Sequence, residues 1–216
     1  MTLDYMDSFH TLMTNYPGDI EQASTADDVR RIRDSGKLAA ILCVEGGHSI
    51  DDDLSILRMC HSLGARYMTL TWNNTNGWAD GVLGEPTHGG LSNFGKEVVL
   101  EMNRIGMLVD ISHVAPSTFW DAINTTRKPV IASHSSAKAI CATPRNLDDD
   151  QIRAVRDNGG VIGVNYEVTF VSDVHRLAKG AVADEKQEEL KKARKDFKAG
   201  SEDLLSVQTE IDEKFE

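Results

Sequence analysis

Along residues 2–166 the chain alternates two patterns. Short apolar runs of the kind that form buried strands are separated by stretches whose apolar residues recur every three or four positions, the spacing of an amphipathic helix. The run Leu38-Ala39-Ala40-Ile41-Leu42-Cys43-Val44, followed at once by Glu45, Gly46 and Gly47, reads as one strand at 38–44 that stops in a turn. Further strands are expected at 66–72, 107–111, 129–133 and 161–166. The first expected helix, over 2–16, carries Leu3, Met6, Phe9 and Met13 on one face. Others start from a Ser24 or Thr25 cap, from Asp51, Asp52 or Asp53, from Ser92, with Pro116 in a first turn, and from Asp148. Their stops are Ser35-Gly36, Gly64, Gly106, a point near Thr126, and Asn158-Gly159-Gly160.

Strands alternating with helices imply parallel strands joined by helical crossovers, which an open doubly wound sheet and a barrel both satisfy. The polar residues at the strand ends separate the two. Glu45, His113 and His134 each stand at the end of a short apolar run. A carboxylate at the tip of a buried strand is costly unless a cation or hydrogen bonds neutralise it. Alone, Glu45 would read as a turn cap; three strands finishing in Glu, His and His suggest one shared cation site. Ligands at the carboxyl ends of several strands favour the barrel. No Gly-x-Gly-x-x-Gly or Walker-type loop supports an open-sheet nucleotide binder. The polar stretch 73–90, rich in Asn and Gly, is long enough to be read as functional.

Composition narrows the picture further. A chain of 216 residues holds one sizeable core or two small ones. The net charge of −11 argues against a nucleic-acid partner. Cys43, Cys60 and Cys141 are too few and too scattered for a disulfide framework or a thiolate zinc motif, which points to a reducing compartment. No stretch approaches the roughly 18 apolar residues of a membrane span, and the first residues lack a signal-peptide pattern, so a cytoplasmic location is expected. From about residue 173 Lys and Glu dominate. One or two solvated amphipathic helices are expected there, broken at Gly200-Ser201. The irregular spacing of their apolar residues speaks against a coiled coil.

The stretches that carry chemistry also match a family in order and spacing. They are Val44-Glu45-Gly46-Gly47-His48-Ser49-Ile50, Leu63-Gly64-Ala65-Arg66-Tyr67-Met68-Thr69-Leu70-Thr71, Trp78-Ala79-Asp80 and Gly90-Leu91-Ser92-Asn93-Phe94-Gly95. Asp110-Ile111-Ser112-His113-Val114, Ser133-His134-Ser135-Ser136-Ala137, Arg145-Asn146 and Val164-Asn165-Tyr166 continue the series. Over about residues 38–166 the chain resembles the renal (membrane) dipeptidase family of zinc peptidases and its bacterial relatives. The resemblance implies a metal-hydrolase variant of the eight-stranded (β/α) TIM-like barrel, with two zinc ions bridged by a glutamate and dipeptides hydrolysed by a metal-activated water. By position Glu45 matches the bridging carboxylate at the catalytic centre, and His113 and His134 match the two imidazoles on the second zinc. Arg145 matches the arginine that holds the substrate carboxylate, a task its paired donors suit.

The departures from the family pattern shape the expectation as much as the matches. Trp72 stands where mammalian members have a substrate-contacting histidine, as in bacterial members, and is expected to wall the substrate pocket. The family's first-strand His-x-Asp pair does not occur before Glu45, nor does the last-strand aspartate that handles the proton. The legible strands correspond to the family's third through seventh. The expected organisation is therefore an incomplete dipeptidase barrel over 1–172, with 173–216 a charged helical segment of the same domain. The implied partner is a dipeptide, with neither nucleic acid nor membrane, and copies of the chain are expected to associate. The ligands present suffice for one metal of the two. The alternative function is a truncated, non-catalytic metal-binding module. His48 reads equally as a residue supporting the ligands from behind or as a plain turn residue. His61 on a helix, His88 in the long loop and His175 beyond the last strand read as structural or exposed rather than as ligands.

Overall fold

The computed structural model describes residues 2–197 and 202–215. Helix α1 (Thr2–Asn15) leads to strand β1 (Ile20–Gln22), helix α2 (Ala26–Asp34) and strand β2 (Leu38–Ala40). A regular alternation follows: β3 (Cys43–Glu45), α3 (Leu54–Ser62), β4 (Tyr67–Thr69), α4 (Asn93–Ile105), β5 (Leu108–Asp110), α5 (Pro116–Thr125), β6 (Ile131–Ala132), α6 (Asp149–Asp157) and β7 (Val161–Ile162). Helices α7 (Val168–Val171), α8 (Asp173–Asp196) and α9 (Glu202–Lys214) come last.

The helix boundaries follow local chemistry. Thr25 and Asp148 close capping boxes with Asp28 and Gln151, and Asp53 and Ser92 accept from backbone N–H groups of the first turns they cap. Pro116 opens α5, where its missing N–H has no helical partner to lose. Gly106 ends α4 in the left-handed conformation at φ +80°.

Strands β3-β4-β5-β6-β7 form a five-stranded parallel sheet in sequence order, so each crossover helix covers the same face. The single strand expected at 38–44 is in fact two. Leu38–Ala40 pairs with β1 in a separate two-stranded parallel sheet, and Cys43–Glu45 pairs with β4. The change of partner explains the break: the Ala40 carbonyl accepts from Ala23 N, whereas the Leu42 carbonyl accepts from Arg66 N. Strand β1 escapes a reading by pattern, because in Ile-Glu-Gln only Ile20 is apolar.

Period-two alternation divides the main sheet into two faces. Val44, Met68, Val109 and Ala132 are buried in one core with Leu57, Cys60, Val98, Met102, Phe119 and Val155 of the helices. Burial of a Val, Leu, Met or Phe side chain contributes about 1.5–3 kcal/mol, and the helical side is where these side chains are buried. The other face is less covered. Tyr67, Leu108 and Ile131 line a cavity of about 610 Å³ with Ile41 and Arg66, and Leu108 remains 43% exposed. Strands β3 and β7 are the edges of the sheet, and among the described residues no strand closes it.

Helices α8 and α9 pack through Leu190, Ala193, Val207 and Ile211, a small cluster apart from the main core, as the charged composition leads one to expect. The expected break at Gly200-Ser201 lies outside the described residues. Among the described residues no helix is long and apolar enough to cross a membrane.

Candidate metal centre

Parallel strands in sequence order bring their carboxyl ends to one side of the sheet. Glu45 is the last residue of β3, His113 lies just beyond β5, and His134 just beyond β6. Glu45 Oε1 is 3.2 Å from His113 Nε2 and 3.5 Å from His134 Nε2. The two Nε2 atoms are 2.7 Å apart, with the rings edge to face. Among the described residues this is the single group of three or more such side chains that could hold a metal ion. The side chain of His113 is 4% exposed and that of Glu45 50%, so the group opens to solvent on the carboxylate side. His48, His61, His88 and His175 do not join it; His88, for one, is tied to the Asn76 carbonyl.

The turn after β3 requires its glycines. A Cβ on Gly47 would lie 2.4 Å from the Leu70 carbonyl oxygen and closer still to the Trp78 ring, and Gly46 has φ +104°. This close approach aims Glu45 across the strand ends. Next door, Gly46 N donates to the Thr69 hydroxyl at the end of β4.

His113 is held harder than either partner. Its φ of +72° is a left-handed conformation that costs a non-glycine residue about 1–3 kcal/mol. Two hydrogen bonds to its carbonyl, from Val82 N at 2.8 Å and the Thr71 hydroxyl at 3.1 Å, offset that strain. Its Nδ1 meets Asn73 Oδ1 at 2.9 Å, and Trp72 stacks on its ring at 6.2 Å between centroids. Trp72 is 47% exposed, a position at the rim of the site rather than in the core. His134 Nδ1 meets the Ser133 hydroxyl at 2.7 Å.

The 73–90 segment is ordered around buried Asp80, whose carboxylate accepts from the backbone N–H groups of Thr87, His88 and Gly90. Burial works to raise the Asp80 carboxyl, and these donors outweigh it, so the group sits below its ordinary value. Asp110 ties the histidine turns together: its Oδ1 accepts from Ser112 N and Ser133 N, while its buried Oδ2 has no partner among the described residues.

Arg145 reaches the same place from the loop after β6. Its Nη1 donates to Asn73 Oδ1 at 3.4 Å, and the guanidinium lies 5.5 Å from the centre of the Phe170 ring. Among the described residues Nε and Nη2, both buried, have no partner. Burial pulls its pKa down to about 10 against the opposing charges of Glu45 and Asp110. A desolvated cation with two idle donors is poised for an anionic group.

Burial, then the charges of Arg145 and His134, push His113 down to about 3. The imidazole is therefore neutral at neutral pH, with a lone pair to share. In the unfolded chain a histidine titrates near 6.5, so below that pH the unfolded state binds a proton that the folded state refuses. Stability conferred by neutral His113 is thus present above about pH 6.5 and lost as pH falls toward 3, at about 1.4 kcal/mol per pH unit. Urea unfolding of metal-free protein between pH 7 and 4.5 checks this. His113→Gln should remove that part of the slope, and an unchanged slope would refute the assignment.

All five residues singled out by the sequence thus meet at one end of the sheet. What the sequence did not single out is the layer behind them: Asn73, the first residue of the polar 73–90 stretch, together with Asp80, Asp110 and Ser133. Asp80, Asp110 and Ser133 sat inside matched motifs, which was the available signal. The donor set fits a cation. One carboxylate and two imidazole nitrogens converge within a few ångströms, and this is a ligand set that zinc accepts.

The family model described as Membrane dipeptidase (Peptidase family M19) matches residues 1–209. An uncharacterized dipeptidase of Schizosaccharomyces pombe is 42% identical over 174 residues, covering 79% of this chain and 42% of its own length. Dipeptidase aclJ of Aspergillus oryzae is 38% identical over 188 residues, 85% of this chain and 44% of its own. A solved metallopeptidase of Rhodobacter sphaeroides, liganded with a phosphinate mimic of the dipeptide L-Ala-D-Ala, superposes with a TM-score of 0.73 at 25% identity, covering 97% of this chain and 56% of that one. The chain spans less than half the length of these curated relatives. The open parallel sheet with its covering helices is a part of the barrel architecture expected from the sequence.

Proposed function

The chain belongs to the membrane dipeptidase family, and from that premise we propose that its strand-end cluster is the zinc centre of a dipeptide hydrolase. The observation that carries the reading is the convergence of Glu45, His113 and His134 beside a buried arginine with unused donors. Zinc bound there would supply Lewis-acid activation of the scissile carbonyl and of the attacking water. Glu45 and the two Nε2 atoms would hold it, and neutral His113 needs to lose no proton to do so. Arg145 would take the substrate carboxylate through Nε and Nη2. Trp72, half-exposed over His113, would wall one side of the substrate. The family's two-zinc centre becomes a one-zinc centre with the ligands this chain has. Because the chain spans under half of its curated relatives, binding without turnover is the second reading.

Calorimetric binding of a phosphinate dipeptide mimic, with and without zinc, tests the proposal. Zinc-dependent binding is expected, weakened about tenfold or more in Arg145→Lys, since a point charge cannot reproduce two fixed donors. In Trp72→His the preference among mimics with bulky and small side chains should shift. Absence of zinc-dependent binding in the parent protein would count against the reading, and binding without hydrolysis of the corresponding dipeptide would select the second one.

A further inference from the structure

Asn73 touches two members of the site at once. Its Oδ1 lies 2.9 Å from His113 Nδ1 and 3.4 Å from Arg145 Nη1. A guanidinium has donors only, so the Asn73 atom that faces it is the oxygen. The same oxygen can then only accept from His113, which places the imidazole proton on Nδ1. The lone pair is left on Nε2, toward Glu45 and His134. His134 is set differently, because the Ser133 hydroxyl at its Nδ1 can donate or accept and fixes neither tautomer.

We propose that Asn73 is a positioning residue whose side-chain oxygen, shared with Arg145, locks His113 in the tautomer that presents Nε2 as a ready ligand. The lock has a competitor. Glu45 Oε1, 3.2 Å from Nε2, would draw the proton to that nitrogen and turn His113 into a donor to the carboxylate, spoiling both as ligands. Asn73 and Arg145 tip the balance toward Nδ1. The zinc consequence rests on the proposed metal centre, whereas the tautomer does not. Outer partners of this kind typically change metal affinity by about 10–100-fold.

The test compares the parent chain with Asn73→Ala and Asn73→Asp. Nitrogen-15 NMR of labelled histidine in metal-free protein reads the tautomer, and competition with a chromophoric chelator reads zinc affinity. Expected is an Nδ1–H His113 in the parent, a shift toward Nε2–H in Asn73→Ala with zinc affinity lower by about 10–100-fold, and restoration of both in Asn73→Asp, which keeps the acceptor oxygen. A role confined to loop stability would lower the melting temperature of Asn73→Ala and leave the tautomer alone, and an unmoved tautomer overturns the inference. A tautomer that responds in a parent binding no zinc would support the lock while removing the metal reading.

Discussion

Purified with zinc, the 216-residue chain is expected to hydrolyse dipeptides several powers of ten more slowly than a full-length family member, and to sediment as associated species. The second half of this expectation comes from the sheet. Both β3 and β7 are edges, and the apolar Val161 of β7 and Val164 and Tyr166 just after it are 66%, 58% and 90% exposed. Unpaired backbone groups next to exposed apolar side chains invite pairing with another copy. The first half comes from the ligands. Glu45, His113 and His134 supply one metal's worth of donors, whereas the family resemblance implies a first-strand His-x-Asp pair and a proton-handling aspartate besides. Catalytic groups that act as a unit fail together, so losing part of the set costs about as much as losing most of it. Dipeptide hydrolysis measured alongside sedimentation velocity decides. Brisk turnover by a monodisperse monomer would refute the expectation on both counts.

His113→Ala is expected to lower zinc affinity by at least about 100-fold, more than the loss of an outer partner would. The substitution removes the most buried ligand of the three and leaves only Glu45 Oε1 and His134 Nε2, 3.5 Å apart, to hold the ion. Glu45→Gln should weaken binding as well, since the amide keeps the shape and loses the charge. His61→Ala and His175→Ala, whose rings lie outside the cluster, are the controls and should bind as the parent does. Chelator competition measures all four. Equal losses at the control positions would mean that zinc binds elsewhere.

The parts of the fold legible in the sequence are those whose cause is local. Thr25, Asp53, Ser92, Asp148 and Gly106 stop or start helices through hydrogen bonds to residues a few positions away, so pattern alone located them. The run 38–44 was misread because an apolar pattern records burial, not partnership. Ile41 and Leu42 continue the pattern while the backbone changes from β1 to β4 as its neighbour. Strand β1 carried no pattern to read. The site was legible for a topological reason: parallel strands end on one side, so ligands at three strand ends stand on the same rim of the sheet. Asn73 was not, because its meaning depends on contacts to His113 and Arg145, 40 and 72 residues away, which nothing in its own neighbourhood announces.

The most direct test of the metal centre is an anomalous-scattering experiment at the zinc edge on crystals of the zinc-loaded chain. One strong peak bonded to Nε2 of His113, Nε2 of His134 and a carboxylate oxygen of Glu45 is the predicted result. A zinc peak elsewhere on the molecule, with those three side chains left free, would contradict it.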